Sequence, residues 1–82
     1  MTDKEKVKEF LLQNFLFTND PGELDDDESL LEKGVIDSTG ILEVIMFLEE
    51  TFNIDISEKE MVRDNLDSVN SISAFLISKL QG

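Results

Sequence analysis

Apolar residues stand at positions 7, 10, 11, 12, 15, 16 and 17, with charged and amide residues filling the places between them. That spacing predicts a helix over Asp3–Phe17 with one broad buried face that includes Phe17. Thr2 or Asp3 can cap it, and Asp3 and Glu5 suit its positive end. The stretch "TNDPG" at 18–22 stops it, because Pro21 has no N–H to donate and Gly22 tolerates positive φ. "ELDDDESL" at 23–30 then reads as a charged loop. Leu24 and Leu30 can pin that loop to the core, and Leu31, Val35 and Ile36 are further anchors. A loop this long between helices is either held down or has a task.

A second apolar stripe, Ile41, Ile45, Leu48 and Phe52 widened by Val44, predicts a second helix with Ser38 at its N-cap. The same period places Thr39, Glu43, Met46 and Glu50 together on the opposite face. Met46 is either an exposed apolar contact inside that acidic face or a filler against the first helix. Phe47 is expected under the loop at 23–33. "FNID" ends the helix, and Ser57 with Glu60 has the form of a capping box opening a short helical turn through Met61 and Val62. "DNLDS" at 64–68 reads as turn and cap. Positions 69, 72, 75, 76 and 80 give a last helix, with Lys79 near its negative end and Gly82 beyond it. Phe10, Phe15, Phe52 and Phe75 are core candidates at helical spacing. The predicted fold class is all-α: three longer helices and one short third helix, without strands, in a single domain over 1–82.

Charge narrows the partners. Nineteen acidic residues against seven basic ones give a formal net charge of -12. Such a surface repels nucleic acid and anionic membrane, and it steers toward partners with basic docking patches unless it serves solubility alone. With no cysteine and no histidine, the chain lacks a thiolate nucleophile, the usual general base and a conventional zinc site. "DDDES" lacks the ligand alternation and central Gly of an EF-hand loop, so no metal site is expected. Residues 1–12 do not read as a signal peptide, and Ile41–Leu48, interrupted by Glu43, is too short to cross a bilayer. Catalysis by this chain is not expected; a cytoplasmic monomer is.

"GVIDSTG" at 34–40 sets a carboxylate beside a hydroxyl where the second helix begins. A serine there can cap the helix, and the unpaired N–H groups also favour a phosphate on its oxygen. The stretch 34–60, "GVIDSTGILEVIMFLEETFNIDISEKE", resembles the acyl carrier protein and peptidyl carrier protein family, and "DSVNSISAFL" matches the start of that family's final helix. The resemblance implies an acyl-carrier-protein-like four-helix bundle. It implies that Ser38, in the Gly-x-x-Asp-Ser motif, receives 4'-phosphopantetheine, whose thiol holds acyl or aminoacyl groups as thioesters. A phosphopantetheinyl transferase would attach it from coenzyme A with Mg2+, and Asp37 would lie near that metal. Glu43, Glu49 and Glu50 fall on the helix that docks partner enzymes, with Thr39 and Met46 on the same docking surface. Phe52, Ile54 and Ile56 fall on the following "Phe-x-Ile-x-Ile" segment.

Two positions depart from the fatty-acid-synthesis carriers, which have Leu and then an acid after the serine. Thr39 removes an apolar docking contact. Gly40 removes a charge and lowers local helix propensity by about 1 kcal/mol relative to Ala. The expectation is a carrier for a dedicated biosynthetic pathway, loaded by a separate AMP-forming ligase and read by downstream acyl-handling enzymes. The competing expectation is an acidic helical protein-interaction module that is never modified.

Overall fold

The structure, a computed structural model, describes residues 2–81. Four α-helices succeed one another: α1 Asp3–Leu11, α2 Ser38–Phe52, α3 Arg63–Leu66 and α4 Val69–Gln81. Among the described residues there is no strand. Gly82, read as lying beyond the last helix, is outside the described residues.

Thr2 caps α1 through a capping box in which its hydroxyl accepts from the Glu5 N–H at 3.1 Å and Glu5 reaches back to the Thr2 N–H. The helix does not run regularly to Phe17. It ends as an α-helix at Leu11 and widens into a π-turn over Leu12–Leu16, with Phe17 left-handed at φ 54°. A π-turn carries an extra residue per turn and so rotates the residues after it about the helix axis. Phe15 and Leu16 pack on the core, whereas Phe17 is 85% exposed, contrary to the apolar pattern.

The centre is built by Val7, Leu11 and Leu12 from the first helix, Val44, Ile45 and Leu48 from α2, Leu66 from α3, and Val69, Ile72, Phe75 and Leu76 from α4. Leu24, Leu30 and Ile36 close it from the long loop, as their apolar character predicts, and Ile56 joins from beyond α2. Leu80, placed on the α4 stripe by spacing, is exposed in the last turn. Phe47 is partly buried against the core and stacks on Phe10 of α1 with centroids 4.1 Å apart. Aromatic area finds its partner on the neighbouring helix, and Phe15 and Phe52 extend the same group edge-on.

The short third helix lies later than the capping signal suggests. Ser57 and Glu60 do form a capping box, but around a single 3-10 turn, Glu58–Glu60, which Met61 breaks at ψ 58°. α3 occupies Arg63–Leu66, where the sequence reads as turn, because burial of Leu66 and the Asn65 side-chain bond to the Glu60 carbonyl at 2.9 Å favour a helical turn there. Ser68 then accepts from the Ser71 N–H at 3.0 Å and starts α4.

Asp67, between α3 and α4, is what holds the long loop. Its carboxylate accepts from the Ser29 hydroxyl at 2.6 Å, the Leu31 N–H at 3.1 Å and Arg63 Nε at 3.0 Å, while its carbonyl accepts from the Leu30 N–H at 2.7 Å. Burial works against this charge, but the bonds from Ser29, Leu31 and Arg63 prevail and hold its carboxyl below the usual range. Asp67→Asn keeps the shape yet loses acceptor strength for these donors, so unfolding free energy should fall by about 1–3 kcal/mol at neutral pH. A lowered carboxyl pKa contributes stability above the unfolded value, about 3.9, that is lost as pH falls through the folded value. The gap between native and variant chains is therefore constant above about pH 5 and closes below about pH 4. The variant carries one negative charge fewer, so relief of repulsion within a chain of net charge -12 offsets part of the gap at neutral pH and disappears in acid, where Asp67 is protonated. Paired urea titrations at neutral and acid pH measure that gap; one that did not close in acid would place the effect elsewhere.

Candidate functional site

Stacking and packing fix the relation of α1 to α2. Lys6 lies over the Phe52 ring, Phe10 stacks on Phe47, and Phe15 reaches Gly40, so rising numbers on one helix meet falling numbers on the other. The two helices are antiparallel, and the end of the π-turn meets the start of α2.

That start is assembled from the loop. Gly34 turns the chain at φ 72°, a left-handed conformation that glycine adopts without steric cost. The Val35 and Ile36 N–H groups then both donate to the Leu30 carbonyl, at 2.9 and 3.3 Å, and Ile36 is buried. With the approach fixed, Asp37 takes extended backbone angles and its Oδ1 accepts from the Gly40 N–H at 2.7 Å. Asp37, not Ser38, is the N-cap. The sequence offers two adjacent capping residues, and the anchored Ile36 decides between them by setting which one leaves the extended loop last.

Ser38 is thereby released from capping and becomes the first residue of α2, on the exposed surface. Of the N–H groups that a helix start leaves without an intrahelical partner, that of Gly40 goes to Asp37. Those of Ser38 and Thr39 point outward along the helix axis with the positive end of the macrodipole. A phosphodiester on the Ser38 oxygen fits this place: the residue is exposed, and the nearby donors favour an anion.

Gly40 has a reason that helix propensity does not show. It is buried, and a Cβ there would stand 3.1 Å from Phe15 Cε1 and 3.2 Å from Ile36 Cβ. Its small size lets the first turn of α2 sit directly against the π-turn and so fixes where Ser38 emerges.

Thr39, Glu43, Met46 and Glu50 are all exposed, on the shared face the spacing predicts, and Met46 at 57% exposure is no filler against α1. Leu42, 55% exposed, adds apolar surface that the stripe analysis did not single out. Glu49 differs from the other acids of α2. It is half-buried, and its Oε2 accepts from the Ile56 N–H at 3.0 Å, tying the segment after α2 back to the helix. A larger hollow lies elsewhere, between α1 and the 18–26 segment, where Lys4 and Lys8 are already paired with Asp26 at 3.0 and 2.7 Å. Among the described residues, no three His, Cys, Asp or Glu side chains are grouped to hold a metal ion, and no helix is long and apolar enough to cross a membrane.

The family model for a phosphopantetheine attachment site matches residues 15–76. D-alanyl carrier proteins of Streptococcus pyogenes, serotypes M5 (strain Manfredo) and M1, are 40% identical to this chain over 68 residues, covering 80% of this chain and 85% of theirs. A holo acyl carrier protein from Nitrosomonas europaea superposes with a TM-score of 0.81 over all of both chains at 24% identity, a likeness of fold. Apo KstB-PCP superposes with a TM-score of 0.65 at 30% identity, covering 95% of this chain and 86% of that one. With its four-helix bundle and the matched segment running from the π-turn to α4, the chain belongs to the family of phosphopantetheine-binding carrier proteins, and its prosthetic group is 4'-phosphopantetheine.

Proposed function

We propose that Ser38 bears the phosphopantetheine and that the chain carries an aminoacyl or short acyl group for a dedicated biosynthetic pathway in the cytoplasm. The observation that carries this reading is the division of labour at the start of α2: Asp37 caps the helix, and the neighbouring Ser38 hydroxyl stands exposed without that duty. When bound, the prosthetic group supplies a terminal thiol that holds cargo as a thioester. The chain's own residues do the rest. Ser38 would anchor the phosphodiester, the first-turn N–H groups of α2 would stabilise its charge, and the Asp37 carboxylate would stand near the Mg2+ that the phosphopantetheinyl transferase brings.

Similarity to D-alanyl carrier proteins supports an aminoacyl cargo, loaded by an AMP-forming ligase on a separate chain. Thr39, Glu43, Met46 and Glu50 form the docking face for that ligase and for downstream enzymes with basic patches. Glu49 contributes charge from the edge of this face while holding Ile56. The chain is thus a substrate of other enzymes, acting as a monomer.

Intact-mass measurement of the protein from its native cells tests this directly. The expected spectrum contains the chain plus one phosphopantetheine, and a loaded form heavier by one amino acid or short acid. Incubating the holo chain with ATP and a D-alanine-activating ligase should produce the loaded form in vitro. A native protein found only at its unmodified mass would favour an acidic interaction module instead.

A further inference from the structure

Three described positions have positive φ: Gly34, Asn53 and Phe17. Gly34 needs no explanation, and Asn53 closes α2 at φ 54° and ψ 52° with a side chain that tolerates the left-handed region. Phe17 closes the π-turn at φ 54° and ψ 41° with a bulky aromatic for which that region is unfavourable. The Phe17 and Thr18 N–H groups both donate to the Leu12 carbonyl and close the turn, but the ring itself buries little in return, being 85% exposed. The same chain therefore uses the tolerant residue at one helix end and the strained, water-exposed one at the other.

Its location gives the contrast a use. Phe15 touches the position of a Gly40 Cβ at 3.1 Å. Phe17 lies two residues beyond Phe15, and Ser38 two residues before Gly40; with the reach of the Phe15 ring added to those spans, the Phe17 and Ser38 backbones lie within about 20 Å of each other. A protein partner of ordinary size covers about 800 Å² of its target, a patch about 32 Å across, which is wide enough to reach from one to the other. One partner has to sit there. An enzyme that acts on the cargo meets it at the far end of the arm, whereas the enzyme that installs the arm must bring its reacting atoms to the Ser38 hydroxyl itself.

We propose that Phe17 is the apolar anchor by which a phosphopantetheinyl transferase holds the unmodified chain beside Ser38, an inference that rests on Ser38 being the modified residue. The acidic face of α2 speeds the encounter by steering, and an aromatic set in an apolar pocket supplies the holding contact. In the unbound chain the left-handed backbone keeps the ring out of the core and ready for that pocket.

Steady-state modification of the unmodified chain by a phosphopantetheinyl transferase and coenzyme A tests this. Phe17→Asn should raise KM for the chain tenfold or more with kcat unchanged, and its thermal midpoint should equal or exceed the native one because Asn accepts the left-handed angles. Phe17→Tyr should restore the native KM. Leu80→Asn is the matched control: Leu80 is also exposed and apolar, but it sits in the last turn of α4, whose Lys79 pairs with Glu60 beyond the far end of α2. A Phe17→Asn KM within twofold of native, or an equal rise for Leu80→Asn, overturns the assignment. A native chain that is never modified removes both this assignment and the Ser38 reading; normal modification of native and Phe17→Asn chains alike removes this assignment alone.

Discussion

Ser38→Ala stays at its unmodified mass after incubation with a phosphopantetheinyl transferase and coenzyme A, while the native chain gains one phosphopantetheine and the two have the same helix content. The first half comes from chemistry: without the Ser38 oxygen there is no acceptor at the start of α2, and Thr39, one residue on, is displaced by about 100° around the helix axis. The second half comes from the cap. Removing a serine that caps a helix costs about 1 kcal/mol, but here the capping bond is from the Gly40 N–H to Asp37, so the substitution leaves it intact. Alanine is also a good helix former at a first-turn position. Circular dichroism and intact mass on the same samples check both halves. Addition of the group to Ser38→Ala would move the attachment to another hydroxyl, with Thr39 the nearest; loss of helix content would mean that Ser38 carries part of the capping after all.

How far this site was readable in the sequence depends on the range of the interactions that build it. The outward face of α2 is a matter of period, so Thr39, Glu43, Met46 and Glu50 fall together from spacing alone. The α1 cap is equally local, with donor and acceptor three residues apart. The N-cap of α2 lies one residue before the Ser38 that the pattern predicts, because Asp37 and Ser38 are both good caps, and the choice between them is made by Ile36 and Leu30, held in the core and bonded to one another. Gly40 reads locally as a weak point in a helix; its reason is contact with Phe15, far away in the chain. The same contact goes with the π-turn that turns Phe17 outward, and no periodicity in residues 7–17 announces it. Asp67 likewise reads as one more turn residue, since its partners Ser29 and Leu31 are 38 and 36 positions away. Apolar character alone marks Leu24 and Leu30 as loop anchors and period alone marks the faces of α2, but which hydrogen bonds and close approaches the distant segments make is not written in either.

Leu48→Ala should have the largest effect on stability. Leu48 is fully buried in the middle of the α2 stripe, between Ile45 and Phe52, and a cavity there cannot be filled from solvent-facing neighbours. Truncation of such a leucine costs about 2–5 kcal/mol, the spread reflecting how far the surroundings collapse. A chain of 82 residues has about 4–12 kcal/mol in total at typical values per residue, and repulsion within a net charge of -12 pushes it toward the lower part of that range. The variant should therefore be largely unfolded or on the edge of unfolding at 37 °C, with a urea midpoint lower by about 1–3 M at an unchanged slope. Added salt, by screening the acidic surface, should recover part of the loss. Leu42→Ala on the exposed side of the same helix should change stability by at most about 0.5 kcal/mol, which separates burial from helix propensity, since both substitutions replace leucine with the best helix former. Modification of Ser38 should track folding: the helix start that presents the hydroxyl depends on Gly40 lying against Phe15, and that contact persists only while the α2 stripe stays seated in the core. A Leu48→Ala chain whose urea midpoint stayed within about 0.3 M of native would show that this part of α2 is not what holds the bundle, and the position of Ser38 would need another support.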